Sequence, residues 1–418
     1  MKRWTRRPVV PFFLVVAGLL GVVLPAPAAA DSSAAPLPNG QKGCLPAPPS
    51  TQSAVPWAQS ELAPQRVWPL TKGAGITVAV VDTGVDAHTP QLAGRVSGGK
   101  DVTAGGGSAD DDCFGHGTFV AGIIAAAIAP DTGFSGVAPE ATILPIRVAK
   151  ATDDGSPPTL TADGMAAGIR AAVDGGARVI NISASTTAPD AGLADAVQYA
   201  AQRDVVLVAS AANSAKNGDP VTYPAAYPSV IAVGAVDATG KRADFSQTGP
   251  FLSLVAPGVS VASIGPRGAG HWLGSGTSYA APFVAGAAAL VRAYHPTLTA
   301  AEVKHRLEVT ADHPAAALPD PGMGWGTVNV TAAVTTVLPE ENQGTAPVIK
   351  APPASPPQNG GLDTTGPLLA AVSVAGVVVL VLLLVVVSRL YRSGRGRGWR
   401  PARVIEVRPV PQETVEQR

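Results

Sequence analysis

Apolar residues along this chain fall into two kinds of run. Two are long and unbroken, at residues 9–24 and 368–387; the rest are short, β-branched and separated by stretches of small residues. The short runs, at 76–81, 141–148, 178–182, 205–209 and 230–236, have the length and composition of strands buried on both faces. Between them, segments 117–129, 162–173 and 191–201 are rich in small residues and read as helices. Continuous apolar strands alternating with helices predict an α/β fold, a parallel sheet covered by helices on both sides. A helix is expected at 278–294, so uniformly small and apolar that it belongs in the interior, and a shorter amphipathic one at 302–310. In such folds ligands bind beyond the carboxyl ends of the strands.

The long runs concern location. Lys2, Arg3, Arg6 and Arg7 precede the first, and the small residues A-P-A-A-A at 26–30 follow it. A basic start, an apolar middle and small residues at −3 and −1 predict a signal peptide over 1–30, cleaved after Ala30. The second run is uncharged from 368 to 387, long enough as a helix to cross a hydrocarbon core of about 30 Å. Arg389, Arg392, Arg395, Arg397, Arg400 and Arg403 follow it, and basic clusters beside a span stay cytoplasmic. The expected organisation is a Pro-rich extension at 31–64, a folded body at 65–337, a Pro/Gly-rich linker at 338–367, a transmembrane helix at 368–388 and a basic cytoplasmic tail at 389–418. The body lies outside the cytoplasmic membrane.

Composition narrows the function. With 46% hydrophobic residues the chain is not disordered throughout. Lys+Arg and Asp+Glu are each 30, so the molecule as a whole has no electrostatic reason to bind nucleic acid. Two cysteines exclude a disulfide-dense mini-fold and a four-cysteine zinc site. Asp110, Asp111 and Asp112 are adjacent rather than alternating, so they suit a solvated loop better than a calcium site. No cofactor and no metal are expected.

Three motifs carry chemistry. In V-V-D-T-G, at 80–84, Asp82 closes an apolar strand; in F-G-H-G-T, at 114–118, His116 stands between glycines where a helix begins; in G-T-S-Y-A-A-P, at 276–282, Ser278 opens a helix among small residues. Alone, each has a bland reading as a turn residue, a loop residue or an N-cap. Together they match a chemical need. A serine hydroxyl is a weak nucleophile until an imidazole takes its proton, and the imidazole needs a carboxylate to fix its tautomer. A helix N-terminus adds N–H donors for a developing oxyanion.

These motifs, in this order, resemble the signatures of subtilisin-like serine peptidases over roughly residues 65–337. The resemblance implies Asp82 as orienting acid, His116 as general base and acid, and Ser278 as nucleophile. It implies Asn213, at the end of V-L-V-A-S-A-A-N, as an oxyanion donor, and Ser183, Ala184 and Ser185 as substrate-binding residues. Two sites depart from the family pattern: at one, Ala212 stands where the family has glycine; at the other, Ser185 and Thr186 replace glycines. An aspartic peptidase, suggested by a second D-T-G at Asp131, is disfavoured because that acid follows a proline rather than a buried strand.

The whole layout further resembles the mycosins, membrane-anchored subtilisin-like proteases of type VII secretion. That likeness implies a disulfide between Cys44 and Cys113, and partners in the secretion membrane complex besides peptide substrates. The extension is too short and Pro-rich to fold as a separate chaperone domain, so it is expected to wrap the surface and stay attached. The alternative function is a scaffold in the secretion complex that needs little proteolysis. Replacing Ser278 by alanine, compared with deleting the gene, separates the two.

Overall fold

A strand buried on both faces must offer apolar side chains alternately up and down. The computed structural model, which describes residues 34–38, 43–103, 106–150 and 160–342, shows this in its central sheet. In chain order the elements are β1 (Ala35–Pro36), α1 (Trp57–Leu62), β2 (Thr77–Asp82), β3 (Lys100–Asp101), α2 (His116–Ala125), β4 (Thr142–Arg147), α3 (Ala162–Asp174), β5 (Val179–Ile182), α4 (Ala191–Gln202), β6 (Val206–Ser210), β7 (Val230–Val236), β8 (Leu254–Pro257), β9 (Val261–Ile264), β10 (His271–Gly274), α5 (Thr277–Tyr294), α6 (Ala300–Val309) and α7 (Val330–Thr335). Seven strands pair in the order β3-β4-β2-β5-β6-β7-β8, every pairing parallel.

On β2, Val78 and Val80 enter the apolar cluster that contains α2 and α5. Ala79 and Val81 enter the cluster on the other face, with Met165 and Ile169 of α3 and Leu193 and Val197 of α4. Helix α5 is buried along nearly its whole length and packs across β5 to β8. Only small side chains let a helix lie so close to a sheet, which is why 278–294 reads as uniformly small.

The strands and most helices expected from the pattern lie within a residue or two of their observed limits. Helix α2 is the exception, ending at Ala125 although its helical texture runs on to Ala129. Tertiary bonds take over there: Ala127 N–H donates to the Gln91 carbonyl, and Gly136 N–H to that of Ala126. Strand β8 and the small sheet β1-β10-β9 were not legible. They are two to four residues long and defined by their partners.

The extension is more ordered than its composition implies. It contributes β1, parallel to β10 with Ala35 opposite Trp272, and a helix, α1. Cys44 is bonded to Cys113, 69 residues away. Closing such a loop stabilises by about 4 kcal/mol in the chain-entropy account. Leu45 N–H donates to the Cys113 carbonyl at 2.8 Å, and His271 N–H to that of Ser50 at 2.8 Å. Among the described residues no helix is long and apolar enough to cross a membrane. The expected signal peptide at 1–30 and span at 368–388 lie outside the described residues.

Candidate active site

Asp82, His116 and Ser278 all sit at the carboxyl edge of the parallel sheet: the last residue of β2, the first of α2 and the second of α5. Glycine permits the approach of α2 to β2. A Cβ on Gly117 would stand 2.0 Å from the Gly84 carbonyl oxygen and 3.2 Å from Asp82 Cβ. Gly115, at φ +89°, caps α2 in the left-handed region, and a Cβ there would meet Leu45 of the extension at 2.3 Å. The glycines flanking His116 thus bring the imidazole against the acid and leave room for the extension behind it.

His116 Nδ1 lies 2.8 and 2.9 Å from the two Asp82 oxygens. Asp82 is buried, and Oδ1 also accepts the Thr83 N–H at 2.8 Å. A carboxylate facing Nδ1 selects the tautomer with its proton there, leaving Nε2 as the basic nitrogen. Burial opposes a charge on the ring. The Asp82 charge and hydrogen bond, with the charge of Asp112, outweigh it and hold the imidazole above its ordinary pKa. On the other side, the Tyr279 ring, one residue beyond Ser278, lies 5.2 Å from the His116 ring centre to centre.

Asn213 follows β6 by three residues. Its Oδ1 accepts from Thr277 N–H at 2.8 Å and from Thr277 Oγ1 at 3.0 Å. With the oxygen so occupied, the amide nitrogen is the end turned toward the Ser278 hydroxyl. A Cβ on Gly276 would stand 3.1 Å from Ser278 Oγ and 3.5 Å from Asn213 Nδ2. Ala212 has φ +78°, the left-handed conformation that favours glycine. Gln247 N–H donates to its carbonyl, and Gln247 Oε1 accepts from Ser214 N–H, so the loop is held from both sides of Asn213.

Ser183, Ala184 and Ser185 run on from β5 along the edge of the site. A cavity of about 180 Å³ opens there, lined by Asp82, Thr83, Phe114, His116, Leu160, Ser183 and Ala184. Phe114, Leu160 and Ala184 make much of its wall apolar. Thr186 pairs with Tyr223 through two backbone hydrogen bonds of 2.9 and 2.8 Å. Thr186 thus sits in an antiparallel bridge, and neither it nor Ser185 has the left-handed φ that would demand glycine.

The three adjacent acids diverge. Asp110 accepts from Ser108, Asp111 pairs with Arg147, and Asp112 turns inward. Asp112 is not part of a solvated loop. It is 4% exposed and accepts from Thr83 Oγ1 (2.9 Å), Gly115 N–H (2.8 Å), Thr118 N–H (2.8 Å) and Thr118 Oγ1 (2.8 Å). Burial pushes its carboxyl up to about 6, against the hydrogen bonds that favour its charge. Thr83 Oγ1 also accepts the Gly117 N–H at 3.0 Å. Arg147, the last residue of β4, donates to the Thr83 carbonyl at 3.1 Å and to Asp101 at 3.0 Å. Asp112 and Arg147 tie the loop before His116 to the sheet, and the motifs did not mark either. In sequence Arg147 is only a charged residue near the end of an apolar run. His271 is fully buried and holds the extension. Its Nδ1 accepts from Gln52 N–H at 3.0 Å, and its Nε2 lies 3.1 Å from Gln91 Oε1.

Sheet, helices and site together define a subtilisin-like serine protease. The chain belongs to the subtilase family, which it matches over residues 73–326, and within it to the mycosins. Mycosin-4 of Mycobacterium tuberculosis is 41% identical over 378 residues, covering 79% of this chain and 81% of that protein. Subtilisin DY of Bacillus licheniformis is 42% identical over 265 residues, covering 63% of this chain and 92% of its own length. Among solved structures, MycP1, described as a serine protease and an essential component of the type VII (ESX-1) secretion system, is similar with TM-score 0.62 and 32% identity, covering 75% of this chain and 99% of that one. MycP3, from the type VII (ESX-3) secretion system, is similar with TM-score 0.59 and 35% identity, covering 74% of this chain and 99% of that one.

Proposed function

We propose that the protein is a serine endopeptidase that hydrolyses peptide bonds through an acyl-enzyme on Ser278. The observation that carries this reading is the contact of His116 Nδ1 with both oxygens of Asp82, which leaves Nε2 to serve the hydroxyl of Ser278. His116 takes the Ser278 proton as the hydroxyl attacks the carbonyl, then returns it to the leaving amine. Asp82 keeps the ring in the productive tautomer and stabilises the imidazolium. The Ser278 N–H, at the start of α5, and Asn213 Nδ2 stabilise the oxyanion; losing one such donor costs about 10²–10³ in turnover. The chain at Ser183, Ala184 and Ser185 lies beside substrate, and the neighbouring wall of Phe114 and Leu160 suits an apolar side chain.

The likeness to secretion-system proteases and the order of sequence segments support a place for this activity. The catalytic body sits on the outer face of the cytoplasmic membrane, held by a helix at 368–388, with the basic tail inside and a type VII secretion complex as partner. The test of the chemistry is a serine-directed fluorophosphonate together with a peptide library. The wild type is labelled at Ser278 and cleaves peptides, and the Ser278→Ala protein does neither. Cleavage that persists in Ser278→Ala, or labelling at another residue, refutes the assignment.

A further inference from the structure

The helix that carries Ser278 has a gap in its first turn. Pro282 lies inside α5, four residues beyond Ser278. Proline has no N–H with which to close the helical bond onto the carbonyl four residues earlier. The Ser278 carbonyl therefore lacks its ordinary partner in the turn that aims the hydroxyl. A group from the sheet takes that place: Ser183 Oγ donates to the Ser278 carbonyl at 2.9 Å. Ser183 is itself held, because Asn181 Nδ2 donates to Ser183 Oγ at 3.0 Å.

Asn181 is an unusual residue for its position. It is fully buried on β5, in register between Val80 of β2 and Val208 of β6, both of the apolar cluster that includes α5. Its Oδ1 has no hydrogen-bond partner among the described residues. Burying an amide with one end unsatisfied is unfavourable, and an apolar side chain would avoid that cost. What an apolar side chain could not provide is the donor that orients Ser183.

We propose that Asn181 and Ser183 form a positioning relay for the nucleophile, standing in for the N–H that Pro282 lacks. The first turn of α5 is thereby referenced to the central sheet rather than to its own helix, whose terminus would otherwise be free to fray. Both side chains act through Ser278 and are positioning residues. The inference rests on the reading of Ser278 as nucleophile.

The test is a double-mutant cycle on the full-length protein, with Ser183→Ala, Pro282→Ala and the combination, plus Ser183→Thr and Asn181→Asp. kcat and KM for a cleaved peptide and the rate of fluorophosphonate labelling at Ser278 are measured for each. Ser183→Ala lowers kcat and labelling about tenfold with little change in KM, the scale of one lost hydrogen bond to a buried carbonyl. Ser183→Thr, which keeps the hydroxyl, restores most of the rate. Asn181→Asp keeps the shape but swaps donor for acceptor, draws the Ser183 proton away from the carbonyl, and lowers kcat as Ser183→Ala does. In the Pro282→Ala background residue 282 again has an N–H for the Ser278 carbonyl, and adding Ser183→Ala then costs less than about twofold. An equal loss in both backgrounds, or a Ser183→Ala protein labelled as fast as wild type, overturns the relay alone. If Ser183→Ala fails to fold, the same cycle is run with Asn181→Asp and judged by the same outcomes. A wild type that is not labelled at Ser278 overturns the nucleophile assignment, and the relay with it.

Discussion

His116 works between two carboxylates with different tasks. Asp82 touches the ring, whereas Asp112 lies behind it, anchoring the start of α2 through Gly115 and Thr118 while adding its charge to the field that raises the imidazole. In the proposed mechanism His116 is a general base, active when unprotonated, so its raised pKa moves the acid limb of kcat/KM to higher pH than an ordinary imidazole would give. Replacing Asp112 by Asn removes the second negative charge. The acid limb then moves to lower pH, and the unfolding temperature falls, because an amide cannot accept all four hydrogen bonds. A pH–rate profile and a thermal melt of the variant check both parts; an unmoved acid limb would show that Asp112 is electrically silent. At Ala212 the backbone bears a cost that the family's usual glycine avoids. Ala212→Gly relieves the left-handed strain but frees the unfolded chain, for a net gain of about 0.5–1 kcal/mol. A rise of about 1–3 °C in melting temperature, with kcat retained, is the expected readout.

At the scale of elements, the site is made where three secondary structures end, and a fourth segment closes it from behind. The extension reaches the catalytic loop through the Cys44–Cys113 bond and places Leu45 against Gly115, next to His116. It is then pinned to β10 by His271. Burial lowers the His271 pKa to about 4, partly offset by the charge of Asp131. With Nδ1 accepting from Gln52 N–H, the ring carries its proton on Nε2, facing Gln91 Oε1, and a second proton would break the Gln52 bond. The folded pKa lies below the unfolded value of 6.5. The stabilisation is therefore complete above pH 6.5 and lost progressively as pH falls toward 4, amounting to about 3 kcal/mol. Urea unfolding across this window is expected to weaken with acid in the wild type and to weaken less in His271→Gln. Identical pH dependence in the two would show that another group governs it.

On the scale of the whole molecule, the patterns that reported the fold were those repeated over many residues. Alternating short apolar runs and small-residue helices gave the parallel sheet and its covering layers, because burial on both faces leaves no room for polar interruptions. Asp82, His116 and Ser278 were legible for a related reason: each stands among glycines or other small residues that clear space for close approach. Asp112 was not legible, since in sequence it is one of three adjacent acids, and only the hydroxyls of Thr83 and Thr118 make its burial tolerable. Arg147 and Asn181 were hidden too, one as the charged end of an apolar run and the other as a polar residue within one. Each makes sense only beside partners from another strand or helix.

The amino-acid sequence by itself therefore determined the layering, the order of strands and helices, and the choice of Asp82, His116 and Ser278 as the proposed acid, base and nucleophile. These depend on periodicity and on which residues leave room, both local properties of the chain. Tertiary structure decided which polar groups are buried and what they hold: Asp112 beneath α2, His271 under the extension, Ser183 on the carbonyl of Ser278. Whether a buried polar group is tolerated depends on partners supplied by segments remote along the chain, and that is settled only once the layers have packed.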